Sequence, residues 1–207
     1  MSTKTNADLK LTLGSKDAPV RFSYLHAHTP QEKKDDAGNV VIGKDGKPVV
    51  QYSVQIRVPK KTKGGAENPD VARIKEKQKA AALDFFKGKL PPGLKMPLRD
   101  GDEEAEFKED DTLKGCYFFN CSSLKKPDVA GTERDIDGKL VRLSEDEIKS
   151  GDYGRVTVRF YGFDQKSRGV AVGLGNIQKL EDGEPLGSSS SADQDFADFD
   201  QDDADFE

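Results

Sequence analysis

Residues 154–164 read GRVTVRFYGFD, and the order of side chains in this stretch decides the fold. Val156, Val158 and Phe160 recur at every second position, the period of a strand with one face in a core. The alternate positions hold Arg155, Thr157, Arg159, Tyr161 and Phe163. A sheet face that interleaves arginines with rings is a costly surface to leave without a partner. After a short connection at Gln165–Arg168, GVAVGLGNIQKL (169–180) follows as the hairpin partner. Upstream, VVQYSVQIRV (49–58) repeats the alternation. It sets Val50, Tyr52, Val54, Ile56 and Val58 on one face, and Gln51, Ser53, Gln55 and Arg57 on the other. That pattern predicts a sheet with one buried and one wet face.

Further strands are expected from DLKLTL (8–13), PVRFSYLHAH (19–28) and GCYFFNCSS (115–123), which carry β-branched and aromatic residues or strict alternation. In the last of these, Tyr117 and Phe119 share one face and Cys116 and Phe118 the other, and alternation leaves open which is the core. Asp45-Gly46 and Asp137-Gly138 are hairpin signals. One substantial helix is predicted. Asn68 is its N-cap, Pro69 its first residue and Gly88 its stop, with Val71, Ile74, Gln78, Ala81, Ala82 and Phe85 at helical spacing. Residues 89–112 read as a loop or insertion, and SEDEIKS (144–150) as a short helix with Ser144 and Glu147 in capping-box spacing. At least six short strands interrupted by one helix predict a mainly β domain over residues 1–187. The expected architecture is an antiparallel barrel of OB type with long loops.

The chain of 207 residues carries a net charge of −5, which on its face argues against a nucleic-acid partner. The distribution reverses that reading. Residues 188–207 contain eight acids and no Lys or Arg; the rest holds 33 basic and 30 acidic residues, a charge of +3. The segment SSSSADQDFADFDQDDADFE has too little apolar surface to offset ordering entropy, so a disordered acidic tail is expected. No run approaches the roughly 20 apolar residues of a membrane helix. The N-terminus has no apolar stretch, so a cytoplasmic protein is expected. Cys116 and Cys121 are too few and wrongly spaced for a zinc knuckle, and free buried thiols are expected. His26 and His28 share a strand face but make an incomplete metal site. Asp100, Asp102, Glu103 and Glu104 read as a charged turn. Neither metal nor cofactor is expected, and no catalytic motif appears.

Binding chemistry is concentrated on the strand over residues 154–164. Arginines neutralise phosphates, and exposed rings accept bases by stacking. The candidate contacts are Arg57, Lys60, Lys61, Lys63, Phe119, Arg155, Arg159, Tyr161, Phe163, Lys166 and Arg168, with Lys60, Lys61 and Lys63 on a glycine-containing loop that can close over a backbone. The expected ligand is single-stranded DNA, with RNA and duplex left open, bound by a monomer or dimer. In the tail, Phe196, Phe199 and Phe206 stand among Asp195, Asp198, Asp202, Asp203 and Asp205. Such a segment can dock on basic sites of replication or recombination proteins, or occupy this chain's own cationic groove. Two other readings of the same features are a strand-annealing or recombinase-loading factor and a protein-binding adaptor.

The segments YSVQIRVPK (52–60), PLRDGD (97–102), GCYFFNCSS (115–123), SGDYGRVTVRFYGFD (150–164) and RGVAVGLGNIQKLEDGEPLG (168–187) occur in order. In these the chain resembles a tailed-phage family of single-stranded-DNA-binding proteins, long catalogued as a domain of unknown function. The resemblance implies an OB fold, no enzymatic activity, and the coating of single strands in phage replication or recombination in the host cytoplasm. The acidic tail is similar to those of other single-strand binders, which often finish on an aromatic residue. Here Glu207 follows Phe206, a departure from that pattern.

Overall fold

The computed structural model describes residues 9–35, 37–108, 110–165 and 167–186. Lys166 and the acidic tail, with Asp195, Phe196, Asp198, Phe199, Asp202, Asp203, Asp205 and Phe206, lie outside the described residues.

The strand over 154–164 forms as its alternation predicts. It extends as β8 (Tyr153–Gln165) and pairs antiparallel along its length with β9 (Ser167–Glu181), a tighter hairpin than the predicted start at 169. The other ring strands are β2 (Val20–Glu32), β3 (Val50–Pro59) and β5 (Cys116–Ser123). Neighbours run β2–β3–β5–β9–β8, and β8 returns to β2 through Val20↔Gly154 and Arg21↔Tyr153. This is an OB-type ring. It departs from the predicted all-antiparallel barrel at one step, because β5 and β9 meet in parallel through Ser122↔Gly173. Inside lie Phe22, Val54, Ile56, Val58, Phe119, Val156, Val158, Phe160 and Val172, the inward positions of each strand. β1 (Lys10–Leu13) adds to β8 outside the ring, and the hairpin of β6 (Val129–Arg134) and β7 (Leu140–Arg142) adds to β9.

The helix α1 (Pro69–Phe85) starts and packs as its sequence dictates. The Asn68 side chain accepts from the Asp70 amide at 3.0 Å, and Ile74, Ala81 and Ala82 enter the core. Its last turn presses on β8 at Gly162, where a Cβ would stand 2.3 Å from Phe85 Cβ. The 144–150 segment is a 3-10 turn at Glu145–Glu147 rather than a helix, and the Ser144–Glu147 capping box is present. Beyond it, the fully buried Asp152 carboxylate accepts from the Lys149 and Gly183 amides at 3.0 and 3.1 Å and from Lys179 Nζ at 2.9 Å. This clasp ties the end of β9 to the start of β8.

The outer face of β3 corrects the sequence reading. It was expected to be wet, yet Gln55 and Arg57 are buried. The segment predicted as a loop or insertion holds β4 (Arg99–Asp100), α2 (Gly101–Lys108) and a 3-10 turn at Asp111–Leu113. It forms a roof over this end of the sheet, with Ala105, Leu113 and Phe118 in a second small core. At this end both faces of β5 are therefore covered, with Phe119 inside the ring and Phe118 under the roof.

Candidate nucleic-acid interface

Where the roof ends, the outer face of the ring opens into a groove of about 840 Å³. Its floor is the polar side of β3 and β5: Gln51, Ser53, Gln55, Asn120 and Ser122. One wall carries Tyr24 and His26 from β2; the other carries Tyr161 and Phe163 from β8; Lys95 and Arg99 close a third side. Tyr24 is 65% exposed and adopts φ 47°, a left-handed conformation at the bulge where the β2–β3 register slips between Ser23 and His26. Such a conformation is unusual for a bulky residue and recurs at functional positions. Burial lowers the pKa of His26, which favours its neutral form at the groove.

Tyr161, 44% exposed, belongs to this groove and also to a neighbouring cleft lined by Lys10, Arg159, Gly173 and Gly175. Lys10 and Arg159 are directly opposed across β1 and β8, both exposed. Like charges facing each other across strands destabilise a sheet. An anion between them removes that cost. At Gly173 a Cβ would meet nothing closer than 3.6 Å, so glycine is not demanded by packing there and leaves the sheet bare beside the tyrosine ring. Arg155 lies further along the same face, in a cleft with Thr12, Arg142 and Asn176. Among the described residues, no acidic side chain is bonded to Arg155 or Arg159.

The structure thus brings Arg155, Arg159, Tyr161 and Phe163 onto one surface, as their spacing predicts. It removes two other candidates from it. Arg57, expected to meet phosphate, is 3% exposed: its guanidinium donates to Gln55 Oε1 at 3.2 Å, Ser23 Oγ at 3.2 Å, Thr112 Oγ1 and Asp110 Oδ2, the last at 2.9 Å. Burial alone would raise the Asp110 carboxyl, but hydrogen bonds from Thr112 and the Arg57 charge hold it below its ordinary value. Phe119, expected to stack on bases, is fully buried beside Phe160.

The basic loop is engaged elsewhere. Lys60 bonds Asp100 and Asp102 at 2.5 and 2.7 Å and rides over the Tyr117 ring; burial would lower its pKa, but both carboxylates raise it. Lys63 pairs with Glu181 at 2.8 Å, and Lys61 lines a separate cleft beside Tyr153, at the opposite end of β8 from Phe163. Ten strand residues separate those ends by up to about 33 Å along β8. Arg168 is exposed at the hairpin end and pairs with Asp164 at 3.3 Å. Sequence reasoning missed Tyr24, Lys10, Lys95, Arg99 and the amide-lined floor. The aromatic signal of Tyr24 was present, but only the bulge turns it outward.

The model of the family described as the single-stranded-DNA-binding protein of Enterobacter phage Enc34 matches residues 12–206. A solved structure of the Enc34 protein in complex with single-stranded DNA is similar to this chain at 21% identity and TM-score 0.63, over 86% of this chain and 90% of that one. Another Enc34 structure aligns at 20% identity and TM-score 0.60, over 91% and 90%. A putative protein p50 of Acyrthosiphon pisum secondary endosymbiont phage 1 is 34% identical over 89 residues, 42% of this chain; the match spans 43% of that relative's length. The chain belongs to the family typified by the Enc34 phage single-stranded-DNA-binding protein.

Proposed function

We propose that the protein binds single-stranded DNA without chemistry and with wide sequence tolerance, along the groove and over Tyr161 onto the Lys10–Arg159 shelf. The observation that carries this is the shelf itself, two opposed cations beside a half-exposed ring on bare sheet. Phosphate answers the charge and a base answers the ring. Family membership and the likeness of the fold to a protein solved with single-stranded DNA support the same reading. The strand-coating role in phage replication or recombination, and recruitment of protein partners by the tail, are part of the proposal. So is competition of the tail for the cationic surface.

Fluorescence anisotropy with a labelled dT oligonucleotide and a matched duplex, over a salt series, tests it. Tight, salt-sensitive binding that favours the single strand is expected. Absence of binding at low salt, by both the full chain and a version ending at Gly187, defeats it in favour of a protein-binding adaptor. Truncation at Gly187 is expected to tighten binding; unchanged affinity removes the competition element alone.

A further inference from the structure

Three recesses on the outside of the ring are joined end to end. The groove and the cleft beside Arg159 share Tyr161, and that cleft shares Thr157 with the recess around Arg155. We infer that bound single-stranded DNA continues past the Lys10–Arg159 shelf into this third recess, where Arg155 and Arg142 hold a further stretch of its phosphate backbone. This rests on the single-strand reading above.

Register builds the recess. Arg155 of β8 stands opposite Gln178 of β9, Gln178 beside Ala130 of β6, and Ala130 opposite Arg142 of β7. Residues paired across strands share a face of the sheet, so the four form one row. Their neighbours Val156, Ile177 and Val129 lie in the core, which leaves the row facing out. Arginines end the row, and three strand spacings of about 4.8 Å put their Cα atoms roughly 14 Å apart. Between them Ala130 is small, and the Gln178 amide is tied down by donating to the Gly131 carbonyl at 3.0 Å. The result is a shallow trough with a cation on each side.

Charge marks the same track. Acids outnumber bases in the chain, yet among the described residues no Asp or Glu lines the groove or the shelf cleft. The trough has one, Asp128, which bonds Arg142 at 2.9 Å with both side chains more than half exposed. An exposed pair of this kind contributes little to stability, so a phosphate can take the place of Asp128. Phe163 and Arg155 are eight residues apart on β8, about 26 Å, so the extension is long enough to change how many nucleotides are bound.

The test compares labelled dT4 and dT20 with the full chain, Arg142→Gln and Asp128→Asn. At the stacked rise of about 3.4 Å per nucleotide, dT4 covers only part of the track and dT20 all of it. Arg142→Gln should weaken dT20 binding several-fold and lower its log–log salt slope by about 0.7. Asp128→Asn should do the reverse, tightening dT20 by up to about fivefold, because Arg142 is no longer shared. Neither should alter dT4, which is held at the rings and the shelf. A general change in net charge acts on both lengths alike. Equal effects on dT4 and dT20 therefore overturn the inference, as does dT20 binding that is unchanged in both variants. Failure of the unaltered chain to bind dT20 overturns the single-strand reading beneath it instead.

Discussion

Two strands of this protein carry the same kind of message and meet opposite fates. VQIRV in β3 and VTVRFY in β8 both alternate apolar with polar residues, and both put an arginine on the outer face. On β8 that face stays open, and Arg159 confronts Lys10 with no acid bonded to it among the described residues. On β3 the face is roofed at Arg57 by the segment after α2, whose Asp110 and Thr112 bond the guanidinium, and Arg57 becomes the hub of a buried polar cluster. Alternation reports which side of a strand faces the core. It says nothing of what a segment some 50 residues away will lay over the other side.

Substitution breaks the comparison most sharply. Arg57→Ala leaves the Asp110 carboxylate and two buried polar side chains without their partner, and should cost roughly 3–5 kcal/mol of folding stability. Arg159→Ala should leave stability nearly unchanged. Urea denaturation of the two variants checks this; equal midpoints would erase the distinction. Tyr161→Ala should weaken binding of a dT oligonucleotide by about 1–3 kcal/mol with little effect on folding. Lys10→Glu should do two opposite things: stabilise the fold by up to about 1 kcal/mol through relief of like charge, and weaken DNA binding. Arg155→Gln should lower the salt dependence of binding by about 0.7 in the log–log slope if it contacts one phosphate.

Acid unfolding sharpens the same contrast between structural and exposed charge. Burial alone would raise the Asp152 carboxyl, but hydrogen bonds from Lys179, Gly183 and Lys149 outweigh it and hold its pKa below the ordinary value. A depressed folded pKa contributes stability that is present above the unfolded pKa, about 3.9, and is lost as pH falls through the folded value. The urea midpoint should therefore drop below about pH 4. Asp152→Asn should be less stable at pH 7 and should lose less on acidification. Lys63→Gln, which breaks an exposed pair with Glu181, should change stability by less than about 1 kcal/mol.

Much of the ring was legible from one residue to the next. The hairpin of β8 and β9, the N-cap of α1 and the inward set Val54, Ile56, Val58, Val156, Val158 and Phe160 all follow from local periodicity and turn chemistry. The surface shared by Arg155, Arg159, Tyr161 and Phe163 follows from the same period of two. What was not legible depends on long-range placement. Arg57 and Phe119 read as exposed because their concealment comes from the roof and from ring closure. Tyr24 was hidden for the opposite reason, since a bulge sends it outward from a strand whose alternation says little. Lys10 gained meaning only from its register opposite Arg159.

The parallel step at Ser122↔Gly173 closes the ring, and the groove lies across it, with Ser122 on one side and Ala171 and Val172 on the other. In mechanical terms this is a seam. On the proposed path, a strand of nucleic acid laid over it would work as a suture, joining β5 to β9 from outside. Amide hydrogen exchange at 170–174 should slow when DNA is bound, more than exchange along β8 and β9 near Val156↔Ile177, where the antiparallel ladder already holds. A protein built this way would be stiffened by what it carries.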